Sequence, residues 1–156
     1  VKDVMKDVGN RMDFWRVAMR PGRPLAFGTI EGLPVFGLPG NPVSSLVSFE
    51  QFVRPSILKM AGKTKIHRHM AKAILQEDVQ TKEGLKYFIR GIVSWKDGGA
   101  VVKTTGEQGS GILKSMVMAN ALIVIPEDVA TAHAGDTVPV QLLDDSLDLT
   151  DVPGYE

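Results

Sequence analysis

The run Gly37-Leu38-Pro39-Gly40-Asn41-Pro42-Val43-Ser44 decides how the chain is read. Asparagine is a favourable N-cap, and proline fits the first helical position, where its missing N–H has no intrahelical partner to lose. Val43, Leu46, Val47, Phe49, Phe52, Val53, Ile57 and Leu58 follow as a broad apolar helix surface. The pattern predicts a strand, a glycine-rich loop and a long helix opening at Asn41, kinked at Pro55 and ended by Gly62. Free N–H groups at such a helix start, together with the helix dipole, favour an anion, and glycine permits its close approach. Gly-Asn-Pro also serves as a plain helix-starting turn, so its meaning depends on what surrounds it.

Upstream, Met12, Phe14, Trp15, Val17 and Met19 alternate loosely, which suits a strand over residues 11 to 19 that Pro21-Gly22-Arg23-Pro24 breaks. Leu25 to Ile30 and Leu33 to Phe36 are short apolar runs joined by Glu31-Gly32, a hairpin turn dipeptide. Arg16, Arg20 and Arg23 lie on this strand and turn and are not balanced by acids there, Asp13 being the only acid between residues 11 and 30. Three guanidiniums without partners fit a phosphate or oxyanion, whose oxygens match the planar fork. A solvated basic edge is the alternative. At the very start, Val4, Met5, Val8 and Gly9 read as the last turns of a helix entered mid-element.

Beyond Gly62, the segment Lys63 to His69 has no apolar periodicity and marks the expected domain boundary. Strands are predicted at Met70 to Val79, Leu85 to Trp95, Ala100 to Thr105, Ala121 to Ile125 and Thr137 to Leu143. Lys96-Asp97-Gly98-Gly99 forms a hairpin turn. Strands this short and this closely spaced suggest a small barrel or sandwich. Ile112 to Ala119 is a helical turn expected to pack through Leu113, Met116 and Val117. Arg90 interrupts an apolar strand, and Thr104 to Gly111 is a polar glycine-rich loop of the kind that binds ligands on a rigid scaffold. From Asp144 to Glu156 the chain carries five acids and no base, and it is expected to be a mobile tail.

Composition narrows the function classes. Eighteen basic residues balance eighteen acidic ones, so no global field draws nucleic acid or an anionic membrane surface, and any anion site is local. The absence of cysteine removes disulfides, thiolate metal ligands and a cysteine nucleophile, and fits a reducing cytoplasm. No run approaches the roughly 20 apolar residues of a membrane span. His67 and His69 share one face of any strand they occupy, but two donors do not make a metal site, and no metal ligands are assigned. No side chain is an obvious nucleophile, so no catalytic residue is assigned either.

Phe14-Trp15-Arg16, Arg20-Pro21-Gly22-Arg23-Pro24, Phe27-Gly28, Gly37 to Ser44, Arg90-Gly91 and Thr105-Gly106-x-Gln108-Gly109-Ser110 occur in the order seen in MoeA-type molybdopterin molybdenumtransferases. The chain resembles the C-terminal part of that family, and likewise the enzyme domain of gephyrin-like proteins. The resemblance implies an α/β plus all-β fold. Residues 1–62 would be the second half of a three-layer α/β molybdopterin-binding domain, 63–144 a small C-terminal β-barrel domain, and 145–156 the acidic tail. It implies insertion of molybdate into adenylylated molybdopterin with release of AMP, in a magnesium-dependent reaction at a homodimer interface. The preceding domains, and with them the magnesium carboxylates, would lie outside this chain, so that it carries half a site and has no activity alone. The substrate-binding residues implied are Arg16, Arg20, Arg23, Pro39, Gly40, Asn41, Pro42, Ser44, Arg90 and Ser110. Arginine stands at Arg16 and Arg20 where the family often has lysine, which keeps the charge and changes the geometry. A scaffold role of the gephyrin kind and a noncatalytic molybdopterin-binding module are the alternatives.

Overall fold

Glu31 and Gly32 take positive φ values of 50° and 82°, which closes a two-residue hairpin between β3 (Ala26–Ile30) and β4 (Leu33–Gly37). The computed structural model that shows this describes residues 11–96 and 98–143. The expected helix end before Gly9 and the acidic tail lie outside the described residues. A third strand, β1 (Arg11–Phe14), adds to β3 antiparallel, and Phe14, Phe27 and Phe36 line up across the three strands with centroid separations of 5.5 and 4.8 Å.

The single strand expected over residues 11 to 19 is instead two. The chain leaves the first sheet after Phe14, and β2 (Met19–Arg20) joins a different one, pairing parallel with Lys86 and Tyr87. Apolar alternation does not register a change of partner, because both short pieces keep it.

The expected helix opens at Asn41 as α1 (Pro42–Ser48), passes through a π-helical turn at Phe49–Val53, and continues as α2 (Arg54–Met60). The irregularity falls next to Pro55, the site of the expected kink, as a π-helical turn. Proline has no N–H for the carbonyl four residues back, and the Arg54 N–H bonds the Phe49 carbonyl five residues back. Glu50 in the π-turn receives two bonds from Arg68, at 3.1 and 3.3 Å, and Arg54 donates to the Ile66 carbonyl at 3.1 Å. These contacts tie the polar segment after Gly62 back onto the helix.

The remaining strands form a closed barrel. β5 (Met70–Leu75), β7 (Lys86–Lys96), β8 (Gly99–Thr104), β9 (Ala121–Ile125) and β11 (Thr137–Leu142) run in the order β7-β8-β5-β11-β9, and a β7–β9 pairing shuts the ring. β6 (Val79–Gln80) and β10 (Thr131–Ala132) make a separate pair outside it. The strand expected over Met70 to Val79 is therefore broken, with bends after Leu75. β7 is long because it serves two neighbours: Tyr87 to Gly91 pair with β9, and Gly91 to Lys96 with β8. Gly91 stands at the handover. A Cβ there would sit 2.9 Å from the Ile123 side chain and 3.0 Å from the Val102 side chain, so a larger residue would crowd the barrel interior.

Alternation along β7 builds two cores. Tyr87, Ile89 and Val93 point into the barrel with Leu75, Val102, Ile123 and Val140. Phe88 points outward and joins Leu122 of β9 beneath Met19, Val43 and Val47, so α1 lies against the outside of the barrel. Gln51 bonds Gln141 at 2.5 Å along the same seam. In α3 (Leu113–Met118) the expected apolar contacts through Leu113 and Val117 are not made, since both are exposed. Ser115 is the buried residue and Met116 packs beside it, because the helix covers a polar group of β7.

Leu122 has no exposed surface, whereas Leu33 is 69% exposed. Leu122→Ala is expected to cost about 2–5 kcal/mol and Leu33→Ala less than about 0.5 kcal/mol in urea unfolding. Equal costs would mean that the seam between helix and barrel is not a core.

Candidate functional site

Where the helix layer meets the barrel, the Arg20–Pro24 turn faces the N-terminal half of β7 across a cleft of about 760 Å³. The turn is seated by close packing. Gly22 has φ of 103°, and a Cβ on it would lie 2.6 Å from the Ser48 hydroxyl of α1, which is buried without a hydrogen-bond partner among the described residues. Only glycine fits both the angle and the space. The Arg20-Pro21 peptide is cis. Arg20 and Arg23, projecting from this turn, line the cleft together with Ser44 of α1. Across from them the barrel supplies Arg90 and Ser110.

Five of the expected residues thus share one cleft, namely Arg20, Arg23, Ser44, Arg90 and Ser110. The others are placed differently. Arg16 stacks on the Trp15 ring at 3.8 Å and does not line the cleft. Pro39, Gly40, Asn41 and Pro42 sit at the adjoining rim, with the Pro39 carbonyl accepting from the Ser45 hydroxyl. Asn41 occupies the N-cap position, but its side chain makes no cap bond. It donates to the Ser110 hydroxyl at 3.1 Å instead, and the Val43 N–H donates to the Ser110 carbonyl at 3.2 Å. One N–H of the helix start is therefore already occupied from within the protein.

Arg90 is 1% exposed. It is on the outward side of β7, under α3, and its guanidinium donates to the Ser115 hydroxyl and to the Gly109 carbonyl, each at 3.1 Å. No carboxylate pairs with it among the described residues, and burial pushes its pKa down from the ordinary arginine value. A buried guanidinium held by neutral acceptors keeps its charge uncompensated, which favours an anion nearby.

Several lining residues were not singled out from the sequence. Tyr87 lies under the Arg20 guanidinium, 6.0 Å from its ring centroid, and its hydroxyl accepts from the Lys82 N–H. Lys82 and Asp78 come from the segment around β6. No local signal marks these residues, since only the closure of the barrel brings them to the cleft. Among the described residues Asp78 is the one acid in the lining. It is committed to the Ala134 N–H at 2.8 Å and faces His133 at 3.7 Å.

The fold and the cleft together define a β-barrel region joined to part of an α/β layer, with an arginine-lined cleft between them. Residues 72–143 match the MoeA C-terminal region (domain IV), and residues 1–59 match a probable molybdopterin binding domain. The molybdopterin molybdenumtransferase of Haemophilus influenzae is 36% identical over 143 residues, which cover 90% of this chain and 35% of that protein. Molybdopterin molybdenumtransferase 2 of Mycobacterium tuberculosis is 38% identical over 129 residues, covering 83% of this chain and 31% of that one. The solved molybdopterin biosynthesis moeA protein of Pyrococcus horikoshii OT3 superposes with a TM-score of 0.70 at 34% identity, over 88% of this chain and 33% of that one. The chain belongs to the MoeA family and corresponds to its C-terminal part. It spans about a third of the length of the curated relatives it matches.

The Ala134 N–H, and then His133, hold the Asp78 carboxylate below its ordinary pKa. A depressed folded-state pKa contributes stability above the unfolded value that is lost as the pH falls through the folded one. Asp78→Asn is therefore expected to lower Tm near neutral pH, with the gap to the wild type closing as the pH drops through and below the carboxylate range. A gap that stays constant across a pH series of thermal melts would show that the Asp78 charge contributes nothing.

Proposed function

We propose that this cleft binds adenylylated molybdopterin and molybdate, and that the protein inserts the metal into the pterin dithiolene with release of AMP. The observation that carries the proposal is the convergence of Arg20, Arg23 and Arg90 on one cleft whose lining, among the described residues, contains a single, already engaged acid. Phosphate and molybdate are oxyanions, and guanidinium forks match such oxygens. The relatives are molybdopterin molybdenumtransferases, and that supplies the proposed reaction class. The cleft contains no arranged nucleophile, so the roles proposed for its residues are electrostatic. Arg20 and Arg23 hold the anionic groups, Ser44 and Ser110 donate hydroxyls, and the Arg90 charge stabilises negative charge that develops on transfer. The rim residues Pro39, Gly40, Asn41 and Pro42 contribute the edge over which the oxyanion enters, whereas Arg16, stacked on Trp15 outside the lining, has no role in it.

The resemblance also implies magnesium. Among the described residues no three His, Asp or Glu side chains gather as a ligand set, and Asp78 already serves Ala134 and His133. The described residues do not fit the ion, and its carboxylates are proposed to come from other parts of the family's fold. Pairing of two copies, with each cleft completed by the other chain, belongs to the same proposal, as does a cytoplasmic setting. Among the described residues no helix is long and apolar enough to cross a membrane.

In the protein expressed from its own gene, Arg20→Ala is expected to lower molybdate-dependent turnover about tenfold or more while shifting Tm by less than about 3 °C. Turnover and stability falling together would remove Arg20 from the site. Residues 1–156 alone are expected to show no turnover with adenylylated molybdopterin and molybdate until the remaining domains are supplied in trans. Full activity of the isolated chain would contradict the half-site reading.

A further inference from the structure

Gln108 and Ser115 have no role in the site as described so far, yet their bonds converge on one residue. The Gln108 side chain treats Arg90 as a neighbouring strand would. Its Oε1 accepts from the Arg90 N–H at 2.9 Å, and its Nε2 donates to the Arg90 carbonyl at 3.2 Å. The same Nε2 donates to the Gly106 carbonyl at 3.0 Å, which folds the loop around the amide. The Thr105 N–H adds a further bond to the Arg90 carbonyl at 3.0 Å.

A second set of bonds runs in the opposite direction. The Arg90 guanidinium reaches the Gly109 carbonyl through Nη2 and the Ser115 hydroxyl through Nε. The proton on Ser115 is directed to the Ile112 carbonyl at 2.6 Å, so a lone pair of Oγ remains for Arg90. Main chain and side chain of one strand residue thus clamp both ends of a glycine-rich loop. Between the clamps lies Ser110, which crosses to the helix layer and bonds Val43 and Asn41.

We infer that Gln108 and Ser115 are positioning residues that hold Ser110, through Arg90, as a bridge fixing the distance between the two walls of the cleft. A loop containing Gly106, Gly109 and Gly111 has much conformational entropy to lose and no regular strand pairing of its own. Its order has to come from side-chain bonds, and buried networks of this kind are effective when every member is satisfied. The fixed wall distance matters because small displacements of oriented groups cost large factors in rate. The role in turnover rests on reading the cleft as the molybdopterin site, whereas the bridge itself does not.

Hydrogen exchange and kinetics separate the two. In Gln108→Ala and in Ser115→Ala the Val43 amide is expected to exchange about tenfold faster, while the Ile123 amide inside the barrel keeps its rate. Ser115→Thr, which retains the hydroxyl, is expected to restore slow exchange. Gln108→Glu keeps the acceptor, loses the donor and should fall between wild type and Gln108→Ala. In the protein expressed from its own gene, kcat is expected to fall about tenfold in the alanine variants with KM within about twofold. Unchanged Val43 exchange in both alanine variants would overturn the bridge. Faster Val43 exchange with unchanged kcat would overturn the positioning role. A wild type without molybdate-dependent turnover would count against the proposed reaction alone, and the exchange rates would still decide the bridge.

Discussion

The outer face of the barrel rests on α1, and the cleft exists because of that contact. Phe88 and Leu122 leave the barrel on the side away from its interior core and are covered by Met19, Val43 and Val47. The apolar area removed from water there is the main favourable contribution to joining the two layers. β2 adds a short parallel pairing to β7, and Ser110 adds two hydrogen bonds to the start of α1. Each is small by comparison, but each fixes a direction that non-directional burial leaves open.

Electrostatics then follow from placement. The chain is neutral overall, yet its charges are sorted locally: Glu50 is spent on Arg68 and Arg54, and Glu127 on Lys86, away from the cleft lining. Arg20 and Arg23 are left facing a strand whose own arginine is buried with no carboxylate among the described residues beside it. An anionic ligand, as proposed, would supply the missing negative charge, and at a partly desolvated wall such an interaction is stronger than in bulk water. Arg90 connects this field to the structure, since the bonds that bury it also order the loop that reaches α1.

Local chemistry made much of this legible before any coordinates. The Glu31-Gly32 turn, the helix start at Asn41-Pro42, the helix irregularity next to Pro55 and the barrel strands all arise from neighbours in sequence. Three features were hidden because they depend on distant partners. The break after Phe14 reflects the capture of Met19 and Arg20 by a strand more than sixty residues away. Asn41 gives up its cap bond because Ser110 lies within reach. Ser115, and not the apolar Leu113 or Val117, faces inward because Arg90 lies beneath it and a hydroxyl satisfies that neighbour better than a methyl group. For the site, Arg20, Arg23 and Arg90 were visible as cations without nearby acids, but Tyr87 and Lys82 carried no signal of their own.

The central claim is that the seam between barrel and helix layer forms an oxyanion site walled by arginines from both sides. Crystals soaked in tungstate, a heavier analogue of molybdate, test it most directly through anomalous diffraction at the tungsten edge. The account predicts a tungsten peak inside the cleft, within hydrogen-bonding distance of Arg20 or Arg23 and beside Ser44 or Ser110. Peaks found only elsewhere on the surface, with the cleft empty at full soaking concentration, would contradict it.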